Sequence, residues 1–237
     1  MKKRLIYSLL LVLSSLVLLN CNREKQIVEP HTLEIFPLEK GKFRVSYVRD
    51  TTFTTAGREK GVANVYFKKE TVSDQEEDLL GRPINAIQIF RSDSFLYPNY
   101  DFKASRVYSQ YLEPQLSGDY YGERIQENQR FLVLKFPVYE GVRWNGNQFN
   151  NLGSQEFKYQ TIDTNVVIRG ITYESCVMVV QKADTNNFIS DKFAYEIYAP
   201  GIGLVKKYDY TIVNDGPQGE FNPDESRIYI EEIEAHN

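Results

Sequence analysis

Histidine, cysteine, methionine and tryptophan are nearly missing from this chain, with two His, two Cys, two Met and one Trp among 237 residues. His31 and His236 stand close to opposite ends. A Ser-His-Asp or Cys-His centre needs its histidine in a pocket beside the nucleophile, and neither position is expected to supply one. A structural zinc site takes about four nitrogen or sulfur ligands, more than two His and one spare Cys provide. No metal and no cofactor is expected. Gly201-Ile202-Gly203-Leu204-Val205-Lys206 lacks the third glycine and the following helix of a phosphate-binding loop, so it reads as a hairpin turn. An excess of positive charge is also lacking. The chain has 28 Lys and Arg against 32 Asp and Glu, a net charge of −4, which argues against nucleic acid as a partner.

What is present begins with a leader. Lys2, Lys3 and Arg4 precede residues 5–19, which are apolar except for Ser8, Ser14 and Ser15. Spanning a bilayer takes about 20 apolar residues, whereas a run of this length fits the core of a signal peptide. It ends in Leu18-Leu19-Asn20-Cys21, which resembles the lipobox of bacterial lipoproteins, with Asn20 where Gly, Ala or Ser is usual. The resemblance implies removal of residues 1–20, acylation of Cys21 and attachment to the membrane through that lipid. More than one acyl chain makes such an anchor stable. Cleavage leaves 217 residues and removes three cations, so 25 basic side chains face 32 acidic ones and the net charge becomes −7. A body of that charge stands off an anionic membrane surface. With Cys21 lipidated, Cys176 has no disulfide partner. It lies in an apolar run and reads as a buried, inert thiol.

The rest reads as strands and turns. Residues 21–34 form the lipidated N-terminus and tether, and 35–237 a β-rich domain. Tyr and Phe number 17 and 14, residues that favour pleated, half-buried surfaces. Period-two alternation recurs at Phe43, Val45 and Tyr47, at Val65 and Phe67, at Ile87 and Ile89, at Phe157 and Tyr159, and at Phe193, Tyr195 and Ile197, each read as the buried face of a strand. Residues 130–136 and 176–180 are apolar on both faces and read as central strands. No window of 11 or more residues carries a helical stripe. Residues 72–80 fit one helical turn or an acidic loop, with the loop preferred. Residues 214–225, with two Pro and two Gly, read as a long loop before a final strand over 227–231. Turns containing glycine between the runs suit an antiparallel sheet. The fold expected is all-β, either a curved half-barrel or two packed lobes, with little helix.

Phe36-Pro37-Leu38-Glu39-Lys40-Gly41 is echoed by Phe136-Pro137-Val138-Tyr139-Glu140-Gly141 at an offset of 100 residues. If the echo is a repeat, the lobes are 35–137 and 138–234. Phe43 and Trp144 are then expected to point inward at the start of each. These two stretches, with Tyr195-Glu196-Ile197-Tyr198-Ala199-Pro200-Gly201-Ile202-Gly203-Leu204-Val205-Lys206, resemble uncharacterised lipoproteins of Bacteroidetes. In that family a Phe-Pro-Leu-x-x-Gly opening and a Tyr-Ala-x-Gly-Val-Gly-Leu-Val-Lys hairpin recur. The resemblance implies no activity. The last stretch also resembles a hairpin of periplasmic half-barrel proteins of the lipoprotein-carrier type. Many surface-exported lipoproteins of this phylum carry an acidic cluster after the acylated Cys. Asn22-Arg23-Glu24-Lys25 differs from it, which favours a place in the cell envelope at the outer membrane, facing the periplasm.

Two functions from different classes remain open. The first is a non-enzymatic binding or accessory lipoprotein with a lipid or glycan ligand, in one form an apolar ligand enclosed by a curved sheet. The second is a carboxylate-dependent envelope hydrolase, which would need two acids across a cleft, one with a raised pKa. Tyr97, Tyr100, Tyr108, Tyr111, Tyr120 and Tyr121 would line a groove or pack strands, and packing is preferred. Asp215, Asn222, Asp224 and Glu225 match no EF-hand spacing and read as solvated loop.

Overall fold

The computed structural model describes residues 32–53, 61–78, 81–93, 100–114, 120–185, 188–215 and 220–237. The leader, Cys21, His31 and Tyr97 lie outside them. A short 3₁₀ turn, Thr32–Ile35, is followed by twelve strands. They are β1 (Phe43–Thr52), β2 (Val62–Glu77), β3 (Pro83–Ser92), β4 (Lys103–Pro114), β5 (Tyr120–Gln126), β6 (Gln129–Phe136), β7 (Arg143–Asn145), β8 (Glu156–Ile168), β9 (Ile171–Asp184), β10 (Ser190–Ala199), β11 (Gly203–Val213) and β12 (Asn222–His236). All belong to one antiparallel sheet of order β6-β5-β4-β3-β2-β1-β12-β11-β10-β9-β8-β7. Of the two architectures expected, the observed one is the curved sheet, nearly closed into a barrel.

The order places β1–β6 on one side of the sheet and β7–β12 on the other, joined by β1 against β12. Each half opens on one Phe-Pro frame, and the two frames make equivalent bonds. The Gly41 and Gly141 amides donate to the Val72 and Tyr159 carbonyls, both at 2.9 Å. The Val72 and Tyr159 amides donate back to Lys42 and Val142 at 2.8 and 3.0 Å. Both glycines hold left-handed backbone, φ 88° and 80°, a conformation open to residues without a Cβ. Phe36, Phe136 and Val138 are buried in one core with Trp144, Phe157 and Tyr159. Exact register pairs Trp144 with Arg44, and Phe43 is only half-buried, with the Lys69 ammonium 4.7 Å from its ring. The inward aromatic expected at Phe43 is therefore replaced by the inward arginine beside it.

The seam between the sheet's two ends is closed by a backbone hydrogen bond and by side chains. The Leu132 amide donates to the Gly146 carbonyl at 2.9 Å, and Trp144 Nε1 donates to the Leu132 carbonyl at 3.0 Å. The Tyr159 hydroxyl accepts from the Lys135 amide at 2.9 Å and donates to the Lys135 carbonyl at 2.8 Å. Asn150 Nδ2 donates to the Arg130 carbonyl at 2.9 Å. A free sheet edge is a row of unpaired amides and carbonyls, and here that row is occupied. Residues 130–136, expected as a central strand, form β6 at one end of the ladder. Both its faces are buried because the seam and the Phe-Pro frames pack on it.

Two further expectations are corrected. Residues 72–77 are strand, not acidic loop. β2 runs on past the core, its acidic side chains exposed, because its backbone pairs with β3 to Glu77↔Pro83. The alternation fades there since no core covers either face. β12 begins at Asn222, five residues before the expected start, and ends at His236. The Arg169-Gly170 and Pro200-Gly201 turns fall between strands. The outer half of the β8–β9 hairpin bends at Asp163 and Ser175, both at φ 51°, and covers the outer face of β10–β12. There Ile168, Tyr173 and Cys176 pack on Ile197, Val205 and Ile233.

Trp144 keeps only 7% of its surface exposed. Trp144→Ala is expected to cost about 3–5 kcal/mol, and the wild-type indole to emit blue-shifted and resist acrylamide. Tyr159→Phe removes both bonds to Lys135 with little change of volume. It is expected to cost about 1–3 kcal/mol in urea denaturation, the penalty for leaving buried backbone groups unpaired.

Candidate functional site

Alternation along each strand turns every second side chain toward the inside of the curve. In β2 these are Tyr66, Lys68 and Glu70; in β12, Tyr229 and Glu231; in β11, Lys207, Asp209 and Thr211. With Arg44, Tyr108 and Arg124 from β1, β4 and β5 they line a cavity of about 610 Å³ inside the sheet. Eight cations (Arg44, Lys68, Arg91, Arg106, Arg124, Lys182, Lys207, Arg227) and five acids (Glu70, Glu127, Asp209, Glu225, Glu231) contribute to the wall. Three further acids, Glu196, Asp50 and Asp93, pair with Lys207, Arg227 and Arg91 of this wall from behind the lining. Exposed Arg106, Glu127 and Arg227 mark the mouth, while Arg44, Glu70, Tyr108, Arg124 and Glu231 are buried deep within.

The deep side chains form two linked ion clusters. Glu70 pairs with Arg44, lies 3.3 Å from Lys68 Nζ and accepts the Tyr108 hydroxyl at 3.1 Å. Lys68 Nζ also donates to Glu231 at 2.6 Å, and Glu231 accepts the Tyr229 hydroxyl at 2.9 Å. In the second cluster Glu196, fully buried, accepts Lys207 Nζ at 2.9 Å and the Tyr198 hydroxyl, with Arg124 Nη1 at 3.7 Å. Tyr108 joins the clusters. Arg44 Nη2 donates to its hydroxyl at 3.3 Å, and the Arg124 guanidinium lies 5.6 Å from its ring centre.

Burial opposes ionisation of Glu70, but Arg44, Lys68 and Arg124 outweigh it and hold the carboxyl down at about 2. Glu196 is likewise opposed by burial, and Lys207 and Arg124 pull it below the usual carboxylate range. Burial, and then the Glu70 charge, push the Tyr108 phenol up to about 12. Both deep carboxylates that shift move toward permanent ionisation, the reverse of what a general acid requires.

A second cavity, about 720 Å³, lies outside the sheet beneath the bent β8–β9 hairpin. Its lining includes Ile35, Val138, Ile171, Tyr173, Val177 and Ile202, with His236 among them. The more apolar of the two cavities is thus the outer one. His236, expected outside any pocket, lines this cavity because β12 reaches further than the alternation indicated; burial lowers its pKa. The other sequence candidates separate. Cys176 is buried, and desolvation pushes its thiol up to about 11. Tyr100 packs on Phe67, and the Tyr111 hydroxyl donates to Glu123 at 2.5 Å. Tyr120 is exposed, and Tyr121 packs near Phe149. Among the described members of the tyrosine group, Tyr108 alone reaches the charged cavity. Asn222 Nδ2 donates to Asp215 at 2.8 Å, and the Asp224 amide to Asn222 Oδ1. Among the described residues no group of three or more His, Cys, Asp or Glu is placed to hold a metal. The charged interior was written in the sequence as polar residues alternating with aromatic ones, but nothing in the pattern says which set faces in.

No family model and no curated protein matches the chain. Two solved bacterial structures, both described as putative, are similar in outline. One is an exported protein with YmcC-like fold from Bacteroides fragilis, 14% identical, covering 85% of this chain and 98% of that one with a TM-score of 0.38. The other is a lipoprotein from Parabacteroides distasonis, 12% identical, covering 86% and 98% with a TM-score of 0.37. At that distance neither bears on the site, which rests on this chain's own side chains.

Glu70 titrates at about 2 when folded, against an ordinary value of 4.5. The stability it contributes is present above pH 4.5 and lost as pH falls toward 2. The urea midpoint is expected to drop across that window. Glu70→Gln should be weaker at neutral pH, because it leaves Arg44 and Lys68 without their shared carboxylate, and should show a flatter acid limb.

Proposed function

We propose that the protein is a lipid-anchored, non-enzymatic envelope protein that holds a small polar ligand in the charged cavity of its curved sheet. The observation that carries this reading is the cavity wall. An interior filled only for stability would be close-packed and apolar, because burying ion pairs in place of apolar groups rarely adds stability. Here a volume of about 610 Å³ is kept open and lined with ions and phenols, within the range of small-molecule sites. Guanidinium, ammonium and carboxylate groups, with Tyr66, Tyr108 and Tyr229, suit a hydroxyl-rich molecule such as a glycan fragment better than an acyl chain. The lowered pKa values of Glu70 and Glu196 support binding over hydrolysis.

The anchor rests on the signal-peptide run and on Cys21. It holds the body at a membrane, with the outer membrane facing the periplasm as the preferred site. A charged cavity with an exposed mouth is then open to soluble envelope molecules. The second cavity supports a different occupant, a lipid chain, through its apolar lining.

Native mass spectrometry of the full-length protein, extracted from its own envelope in mild detergent, is expected to show a small polar adduct. An adduct that is a lipid would shift the reading to the outer cavity. Cys21→Ser is expected to abolish acylation and release the protein from membranes or stall its processing. A serine variant that still sediments with membranes at its mature size would refute the anchor.

A further inference from the structure

Counting charges in the deep part of the cavity shows an imbalance. Four cations, Arg44, Lys68, Arg124 and Lys207, face three carboxylates, Glu70, Glu196 and Glu231. The shortfall is not spread evenly. Lys68 is held between Glu231 at 2.6 Å and Glu70 at 3.3 Å, and Arg44 pairs with Glu70. Lys207 takes Glu196 at 2.9 Å. Arg124 is left with the already shared Glu196 at 3.7 Å, though its side chain is only 12% exposed. Its Nε is buried without a hydrogen-bond partner, and so is that of Arg44. A buried guanidinium is ordinarily saturated by hydrogen bonds or paired bidentately with an acid. Neither arginine reaches that state with the protein's own groups. Both line the cavity, and both contact the same tyrosine, one at its hydroxyl and one over its ring.

We infer that Arg124, seconded by Arg44 beside Tyr108, seats one anionic group of the cavity's ligand, a carboxylate or a phosphate monoester. This rests on the binding reading given above and narrows it: the ligand carries an acid group, and that group enters first, toward the deep end. Arginine suits the task because it stays charged when buried and presents a planar fork to either oxyanion. The exposed cations at the mouth, Arg106 and Arg227, lie against Glu127 and Asp50. Neutralised by those partners, they do not compete for the seat.

The test uses full-length protein in detergent and follows its melting temperature at constant ionic strength as chloride is replaced by acetate or by inorganic phosphate. A ligand bound only by the folded state raises the melting temperature with concentration. A rise with acetate points to a carboxylate ligand, a rise with phosphate to a phosphorylated one, and either supports the seat. The rise should vanish in Arg124→Gln and shrink in Arg124→Lys, which keeps the charge but not the fork. It should persist in Arg143→Gln, an exposed cation that does not line the cavity. Should Arg124→Gln fail to fold, the lysine variant carries the comparison. No rise with either anion, or an equal rise when Arg124 is replaced, overturns the seat. A co-purifying polar adduct without an acid group would also remove the seat while leaving the cavity reading intact. A cavity that yields no polar adduct but still shows the Arg124-dependent rise would leave the seat and refute the natural ligand's assignment as a glycan.

Discussion

The contact on which the rest of the structure depends is the seam where β6 meets β7 and β8. Twelve antiparallel strands would otherwise end in two open edges, and the curve would have no reason to stay closed. Trp144 and Tyr159 close it by turning side-chain hydrogen bonds onto the backbone of Leu132 and Lys135. Their rings then lie in the core that also takes Phe36 and Phe136. Both Phe-Pro frames therefore converge on the seam, and the second frame ties Tyr159 to Gly141 and Val142 through its own backbone. Polar satisfaction and apolar burial are met by the same residues at the same place.

Closure creates an interior with two unlike parts. Near the seam the core is aromatic and aliphatic. Around the β1–β12 junction it is ionic, with Arg44, Lys68, Glu70 and Glu231 interlocked across three neighbouring strands. In a flat sheet these groups would be half in water and weakly coupled. The curve buries these groups and brings Arg124 of β5 within reach of Glu196 beside Lys207, so that each charge is felt by the others. That coupling holds Glu70 and Glu196 ionised against the cost of burial. The site is thus a consequence of curvature.

The outer face is built differently. Phe193, Tyr195, Tyr208 and Tyr210 form a stacked row on β10 and β11, half-buried on the side away from the ions. The bent β8–β9 hairpin covers the neighbouring aliphatic surface. Sequence alternation read Phe193, Tyr195 and Ile197 as the buried face, because an apolar set normally faces a core. Yet Ala194, Glu196 and Tyr198 on the other face are 1%, 0% and 1% exposed. The period was legible and its phase was not, since a charge is cheap to place inward only where other strands supply its partners. For Glu196 those partners are Arg124 of β5 and Lys207 of β11.

The sequence by itself determined the β class, the turns, the Phe-Pro echo and the buried setting of Cys176. Each is a local matter of residue period, backbone freedom or length, fixed by neighbours along the chain. Tertiary structure alone decided that β6 is an end strand sealed by side chains, that residues 72–77 continue a strand, and that Trp144 answers to Arg44. It also decided that the polar face lies inside. All of these depend on the path of closure, which brings residues 163 positions apart, Lys68 and Glu231, to within one hydrogen bond. Interactions at that separation leave no periodic trace along the chain.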